Sequence, residues 1–194
     1  MKSLKGTKTA ENLMKSFAGE SQARTRYTYY SAQAKKDGFV QISNIFMETA
    51  ENEKEHAKRF FKFLNESLMG EMVEINASYP VGLGDTKFIL KAAAEGEYDE
   101  WSNLYPSFAA VADEEGFHEI AEVYRKIAEV EKHHEARFRK LYDNVMNDEV
   151  FKKVDPTLWK CNNCGYIFAG VAAPVKCPAC DHETAYFEMF VEAY

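Results

Sequence analysis

The chain has 194 residues, 46% apolar and 28% charged, the proportions of an ordinary globular protein with room for one medium domain and a small one. Its formal net charge of -7 excludes a broad basic surface for nucleic acid or anionic lipid. Met1 to Thr9 carries lysines but no apolar stretch behind them, and the longest apolar run, Phe168 to Val175, is broken by Gly170 and Pro174, so neither a signal peptide nor a membrane span is expected and the expected location is the cytoplasm.

Four segments show helical periodicity. The first runs from about Thr9 to Lys36 and stops at Asp37-Gly38; the second runs from about Val40 to Met69 and stops at Gly70. Glu71 to Gly84, with Pro80 and Gly82, is not periodic and reads as a connection. Asp85 is a candidate N-cap for a third helix, Thr86 to Glu115, and after Gly116 a fourth runs from Phe117 to about Asn147. The short first and last joins make antiparallel neighbours, and the long middle connection predicts a mainly α four-helix bundle with one crossover. From about Asp155, Pro156 and then Cys, Asn, Gly and aromatic residues replace the helical pattern. The expected division is a bundle over 1–154 and a small domain over 155–194, too short to bury much core without a bound metal.

Each apolar stripe is interrupted by carboxylates. Leu13, Phe17, Glu20 and Tyr27 share a face of the first helix; Ile42, Ile45, Thr49, Glu53, His56, Phe60 and Phe63 a face of the second. The third presents Leu90, Ala93, Glu97, Glu100, Leu104 and Phe108; the fourth Ile120, Val123, Ile127, Glu131, His134, Phe138, Leu141 and Val145. Unpaired ionised carboxylates in a core are prohibitively costly, so five converging glutamates require cations. Oxygen ligands with two imidazoles suit iron or manganese. The pattern also repeats: Glu20 precedes Glu53-x-x-His56 by almost the same offset as Glu97 precedes Glu131-x-x-His134. One lone Glu and one Glu-x-x-His per hairpin is the arrangement of ferritin-like di-metal bundles. Among 31 acidic residues a single Glu-x-x-His means little. Glu115-x-x-His118 has the same form but spans Gly116; Glu48, Glu51, Glu55 and Glu122 are expected on solvated faces, and His133 and His182 as ordinary surface or packing residues.

The four cysteines form two Cys-x-x-Cys pairs, Cys161/Cys164 and Cys177/Cys180, the spacing of a tetrahedral sulfur site. The spacing alone fits iron and zinc alike. Gly165 after the first pair can turn backbone N–H groups toward the sulfurs; Asp181 after the second departs from that glycine pattern. Trp159, Tyr166, Phe168 and Phe187 are expected to shield the metal.

Cys-x-x-Cys-Gly-Tyr and Cys-Pro-Ala-Cys resemble rubredoxin, and the bundle segments FAGESQAR, ENEKEHAKRF and EVEKHHEARF resemble rubrerythrin, in the same domain order over essentially the whole chain. The resemblance implies a ferritin-like bundle followed by a rubredoxin-like domain. It implies a di-iron centre of two ions held by Glu20, Glu53, His56, Glu97, Glu100, Glu131 and His134, with Tyr27 and Tyr105 lining its pocket. It also implies one iron on Cys161, Cys164, Cys177 and Cys180, a position that zinc can take in preparations. The activity implied is reduction of hydrogen peroxide to water, an oxidative-stress defence of anaerobes and microaerophiles. Electrons would come from NAD(P)H through a rubredoxin or a reductase. A head-to-tail homodimer would bring the partner's cysteine iron nearer than the chain's own.

Three functions compete at this point: that peroxidase, an iron-storage or ferroxidase bundle, and a zinc-stapled interaction module. Within the site, Glu53 and Glu131 are expected to bridge, and Glu20 and Glu97 to be terminal on opposite metals. Glu100, which has no counterpart at Ala23, is expected to exchange with His56 as the iron changes oxidation state.

Overall fold

The computed structural model describes residues 3–192, so the outermost residues of the two expected domain ranges, 1–2 and 193–194, lie outside the described residues. Helix α1 spans Lys8–Lys36, α2 Val40–Leu68 and α5 His118–Met146, each within a residue of its expected limits. Thr7 caps α1 by accepting from the Ala10 N–H. Glu115 accepts from Lys8 N at 3.0 Å, Thr9 N at 2.8 Å and Thr9 Oγ1 at 2.6 Å. The carboxylate of the misleading Glu115-x-x-His118 therefore satisfies free N–H groups at the start of α1. Asp37, just beyond α1, accepts from Thr86 N and Oγ1 and ties the first hairpin to the second. Asp85 is the N-cap of the third helix, as expected, accepting from Phe88 N.

The third helix differs from the expectation of one continuous element. It runs as α3, Thr86–Asp99, then a π-turn, Glu100–Leu104, then α4, Tyr105–Glu114. Eight residues of α-helix would leave Glu97 and Tyr105 about 80° apart; a π-turn that absorbs one residue brings them within about 20°. The expected stripe through Leu104 is corrected accordingly. Leu104 is half-buried, while Tyr105, Ala109 and Ala112 face the core. Periodicity could not reveal this, because a single absorbed residue shifts the register without changing composition.

α1 packs chiefly on α2, and α3 and α4 on α5; contacts between the two hairpins are sparse. The apolar core is split in two. Leu13, Phe60, Phe63, Tyr105, Ile120 and Tyr124 belong to one cluster, and Tyr27, Ile42, Phe46, Leu90, Phe138 and Leu141 to the other. Along α1, α2 and α5 the buried Glu20, Glu53 and Glu131 fall between members of these two clusters. Residues 69–85 make the long crossover, pinned by Tyr79 donating to the Lys15 carbonyl and by Tyr30 donating to the Gly82 carbonyl.

The small C-terminal part is a three-stranded antiparallel sheet in the order β2-β1-β3: β1 Lys152–Cys161, β2 Ile167–Ala172, β3 Phe187–Met189. Its first strand starts slightly before the change of character at Asp155. Trp159, Cys161, Cys177 and Phe187 are its buried centre, with Tyr166 and Phe168 packed against them. No described helix is long and apolar enough to cross a membrane.

Candidate metal centres

The interrupted stripes converge at mid-bundle: Glu20 from α1, Glu53 and His56 from α2, Glu97 from α3, Glu131 and His134 from α5. The four carboxylates are each no more than 1% exposed. Their ligand atoms form two overlapping groups, Glu20–Glu53–His56–Glu131 and Glu53–Glu97–Glu131–His134, with all atoms of a group within 4.8 Å of one another. Glu53 and Glu131 belong to both. His56 Nδ1 lies 2.9 Å from Glu53 Oε2, 2.9 Å from Glu131 Oε1 and 3.8 Å from Glu20 Oε1. His134 Nδ1 lies 2.8 Å from Glu131 Oε2, 3.2 Å from Glu53 Oε1 and 3.9 Å from Glu97 Oε2. The near two-fold repetition follows from the repeated motif on two antiparallel hairpins.

The donor set fits a pair of cations. Glu20 Oε2, Glu53 Oε1, Glu97 Oε2, both oxygens of Glu131 and His134 Nδ1 are buried with no hydrogen-bond partner of acceptable geometry. They stand close together yet aim at common points, which is what ligands to a shared ion do. Two phenols serve the outer carboxylates. Tyr27 donates to Glu97 Oε1 at 2.5 Å and Tyr105 donates to Glu20 Oε1. Each terminal glutamate thus has one oxygen fixed by a phenol and the other free to face inward, the outer-layer arrangement that orients metal ligands. Glu135, missed in the sequence because it reads as a solvated i+4 neighbour of Glu131, is 8% exposed and braces the same turn of α5. It accepts from Trp101 Nε1 at 2.7 Å and from Arg139 Nε.

Glu100 stands apart from both groups. It sits half-buried on the π-turn and lines a cavity of about 610 Å³ with Arg26, Tyr79 and Tyr105, under crossover residues 76–80. Glu48, Glu51, Glu55, Glu122 and His133 are exposed, as expected, and His182 is half-buried with Nδ1 3.1 Å from the Cys180 carbonyl.

Without cations, protons carry the compensation. Burial, then the neighbouring carboxylates, raise Glu20, Glu97 and Glu100 well above the usual carboxylate range. Burial opposes charge on Glu53 too, but the close imidazoles and positive charges of His134 and His56 outweigh it and hold Glu53 at about 2. Burial would lower both histidines; Glu131 and Glu53 overcome it and raise His56 to about 10 and His134 to about 9. A raised folded-state value stabilises the fold below the unfolded value and loses that stability as pH rises through the folded one. Metal-free protein is therefore expected to lose stability, by roughly several kcal/mol, as pH rises from about 6.5 through 9 to 10. The raised glutamates act in the same direction; Glu53 acts oppositely, but only at acid pH. Metal-loaded protein, whose ions displace those protons, should not show this loss. Urea unfolding of both forms between pH 6 and 10 is the check, and parallel curves would contradict it.

The four cysteine sulfurs also form one group within 4.8 Å. Cys161 and Cys180 sulfurs are 3.7 Å apart and Cys164 and Cys177 3.6 Å apart. The edge of a tetrahedron with metal–sulfur bonds of about 2.3 Å is about 3.8 Å. Both knuckles close by one bond pattern: Gly165 N donates to the Cys161 carbonyl at 2.8 Å and Asp181 N to the Cys177 carbonyl at 2.9 Å. Gly165 has φ +79° and Asp181 φ +57°. The departure from glycine is thus absorbed by an aspartate, one of the few side chains that tolerate the left-handed region.

The family model described as Rubrerythrin matches residues 11–142, and that of the rubrerythrin, rubredoxin-like domain matches residues 159–188. The chain is 68% identical to a rubrerythrin of Clostridium perfringens, over 100% of both chains. It is 53% identical to a rubrerythrin of Nitratidesulfovibrio vulgaris, over 97% of each. Among solved structures, fully reduced, all-ferrous nigerythrin superposes with a TM-score of 0.64 at 27% identity, covering 97% of this chain and 92% of that one.

Proposed function

This chain belongs to the rubrerythrin family, with a ferritin-like carboxylate–histidine di-iron site and a rubredoxin-like four-cysteine site, and from that premise we propose that it reduces hydrogen peroxide to water. The observation that carries the reading is the pair of ligand groups sharing Glu53 and Glu131, in a chain that also holds a four-sulfur site suited to one-electron transfer. The iron pair supplies two electrons at one place and a Lewis-acid clamp on the leaving oxygen. Storage of iron needs no such relay, and nigerythrin has been solved in mixed-valent, partially reduced and all-ferrous states, which supports a cycling role.

In this reading Glu53 and Glu131 would serve both ions, Glu20 one of them, joined by His56 in the reduced site, and Glu97 and His134 the other. Tyr27 and Tyr105 hold the terminal carboxylates and keep their inward oxygens pointed at the ions. The paired groups of α1–α2 and α3–α5 bring both ions within reach of one small substrate, which enters by the cavity at Glu100. The fifth carboxylate matters for charge. Five glutamates (-5) over two ferrous ions (+4) would leave -1 in the core, and the lower ferrous charge would hold each carboxylate less firmly than the ferric charge does. Glu100 is therefore proposed to ligate in the oxidised site and to swing into the cavity on reduction, where Arg26 stands, while neutral His56 takes its place. Oxidised and chemically reduced crystals test this; an ion that stays on His56 in both would contradict the exchange.

Cys161, Cys164, Cys177 and Cys180 are proposed to hold the iron through which electrons enter from a rubredoxin or an NAD(P)H-dependent reductase. From His134 to Met146 helix α5 extends roughly 18 Å beyond the ligands, at about 1.5 Å per residue, which supports transfer between subunits of a head-to-tail homodimer. The proposed setting is the cytoplasm, where thiols stay reduced. The test is anaerobic NAD(P)H oxidation driven by hydrogen peroxide, with the iron-loaded protein and a rubredoxin–reductase pair. One NAD(P)H consumed per peroxide is expected, and no rate above the protein-free control would count against the reading.

A further inference from the structure

The two phenols that hold the terminal carboxylates have different surroundings. Tyr27 packs among Tyr30, Phe46 and Phe138, at ring separations of 5.9, 5.7 and 5.6 Å. Tyr105 instead forms part of the wall of the cavity that contains Glu100. Its hydroxyl donates to Glu20 Oε1. Behind it lies a second phenol: the Tyr124 ring is 5.6 Å away, fully buried, with its hydroxyl 3.1 Å from Ser16 Oγ. Phe60 lies against both tyrosines, at 5.8 and 5.0 Å. Nothing in the peroxide reading uses Tyr124, and packing alone does not call for a hydroxyl in that core. A phenol that donates to a carboxylate is readily oxidised, because its proton can leave along the hydrogen bond as its electron departs.

We infer that Tyr105 is a reserve one-electron donor that completes peroxide reduction when the metal pair holds only one reducing electron. The inference rests on the peroxide reading. Hydrogen peroxide needs two electrons and two protons to become two waters. A fully reduced pair supplies both electrons; a half-reduced pair supplies one, and a mixed-valent state is among those in which nigerythrin has been solved. One electron alone would split the O–O bond into hydroxide and a free hydroxyl radical, inside a core of oxidisable side chains. With Tyr105 as second donor the step balances. One ferrous ion becomes ferric, Tyr105 loses one electron, and its O–H bond breaks. The phenolic proton passes through Glu20 to a product oxygen, solvent supplies the second proton, the O–O bond breaks, and two waters form. Tyr105 is left as a neutral phenoxyl radical, walled from behind by the buried Tyr124 ring at 5.6 Å. The next electron from the cysteine site, with a proton, restores the phenol.

The experiment uses full-length, iron-loaded protein poised half-reduced, mixed anaerobically with one equivalent of hydrogen peroxide per chain and frozen for electron paramagnetic resonance. A tyrosyl signal is expected in the parent protein. Tyr105→Phe should lack it and should release hydroxyl radical to a spin trap; Tyr124→Phe should still form it. Absence of any organic radical in the parent overturns the inference, as does a signal undiminished in Tyr105→Phe. Should Tyr105→Phe fail to hold iron, parent protein grown on ring-deuterated tyrosine decides: a narrowed hyperfine pattern supports the inference and an unchanged one overturns it. Fully reduced protein is run in parallel. If it does not consume peroxide, the peroxide reading itself fails; if it does and the half-reduced sample stays silent, only the role of Tyr105 falls.

Discussion

Glu53→Ala is expected to abolish binding of both ions in the bundle while the cysteine site keeps its own. Glu53 contributes an oxygen to each of the two ligand groups, so one truncation removes a ligand from both ions at once. It also leaves His56 Nδ1, now 2.9 Å from Glu53 Oε2, and His134 Nδ1, now 3.2 Å from Oε1, without that partner. Glu20→Ala removes a ligand from one group only and should lower occupancy at one ion. Glu53→Ala should cost about 3–5 kcal/mol by breaking a buried ion pair, but the fold should survive it, because Glu131 still faces both imidazoles and the apolar clusters on either side are untouched. Iron content by elemental analysis, beside helicity by circular dichroism, measures the effect. A folded Glu53→Ala protein that still holds both bundle ions would refute the bridging assignment.

Cys177→Ser is expected to reduce NAD(P)H-driven peroxide turnover to background, with little effect on the bundle. Cys177 is 2% exposed, and its sulfur is 3.6 Å from that of Cys164. A serine oxygen is a harder and shorter donor, poorly matched to a tetrathiolate iron. The visible charge-transfer bands of ferric tetrathiolate should disappear. Chemically reduced Cys177→Ser protein should still discharge its stored electrons to peroxide once, because the ligands of the bundle are unchanged. Normal NAD(P)H-driven turnover in a variant that has lost those bands would show that electrons bypass the cysteine site.

Much of this was legible in the chain because the physics is periodic. Glu20, Glu53, Glu97 and Glu131 interrupt apolar stripes at helical spacing, and a buried carboxylate without a cation is too costly to be accidental. The two Cys-x-x-Cys pairs were equally plain. What escaped is non-periodic. The π-turn at Glu100–Leu104 shifts the register by one residue, so Tyr105 replaces Leu104 on the inner face, and only the family resemblance points to Tyr105. The capping carboxylate of Glu115 acts across more than a hundred positions of sequence, and no local pattern announces it. Asp181 shows the converse: a missing glycine need not mean a missing turn where an aspartate adopts φ +57°.

The claim that the iron pair exists to reduce peroxide is tested most directly by single-turnover stopped flow. Fully reduced protein, held without oxygen, is mixed in one run with one equivalent of hydrogen peroxide per chain and in another with dissolved dioxygen. The prediction is complete oxidation of the bundle iron by that single equivalent, much faster than by dioxygen, with no added iron taken up. Faster oxidation by dioxygen, followed by accumulation of further ferric iron, would contradict it and mark a storage bundle instead.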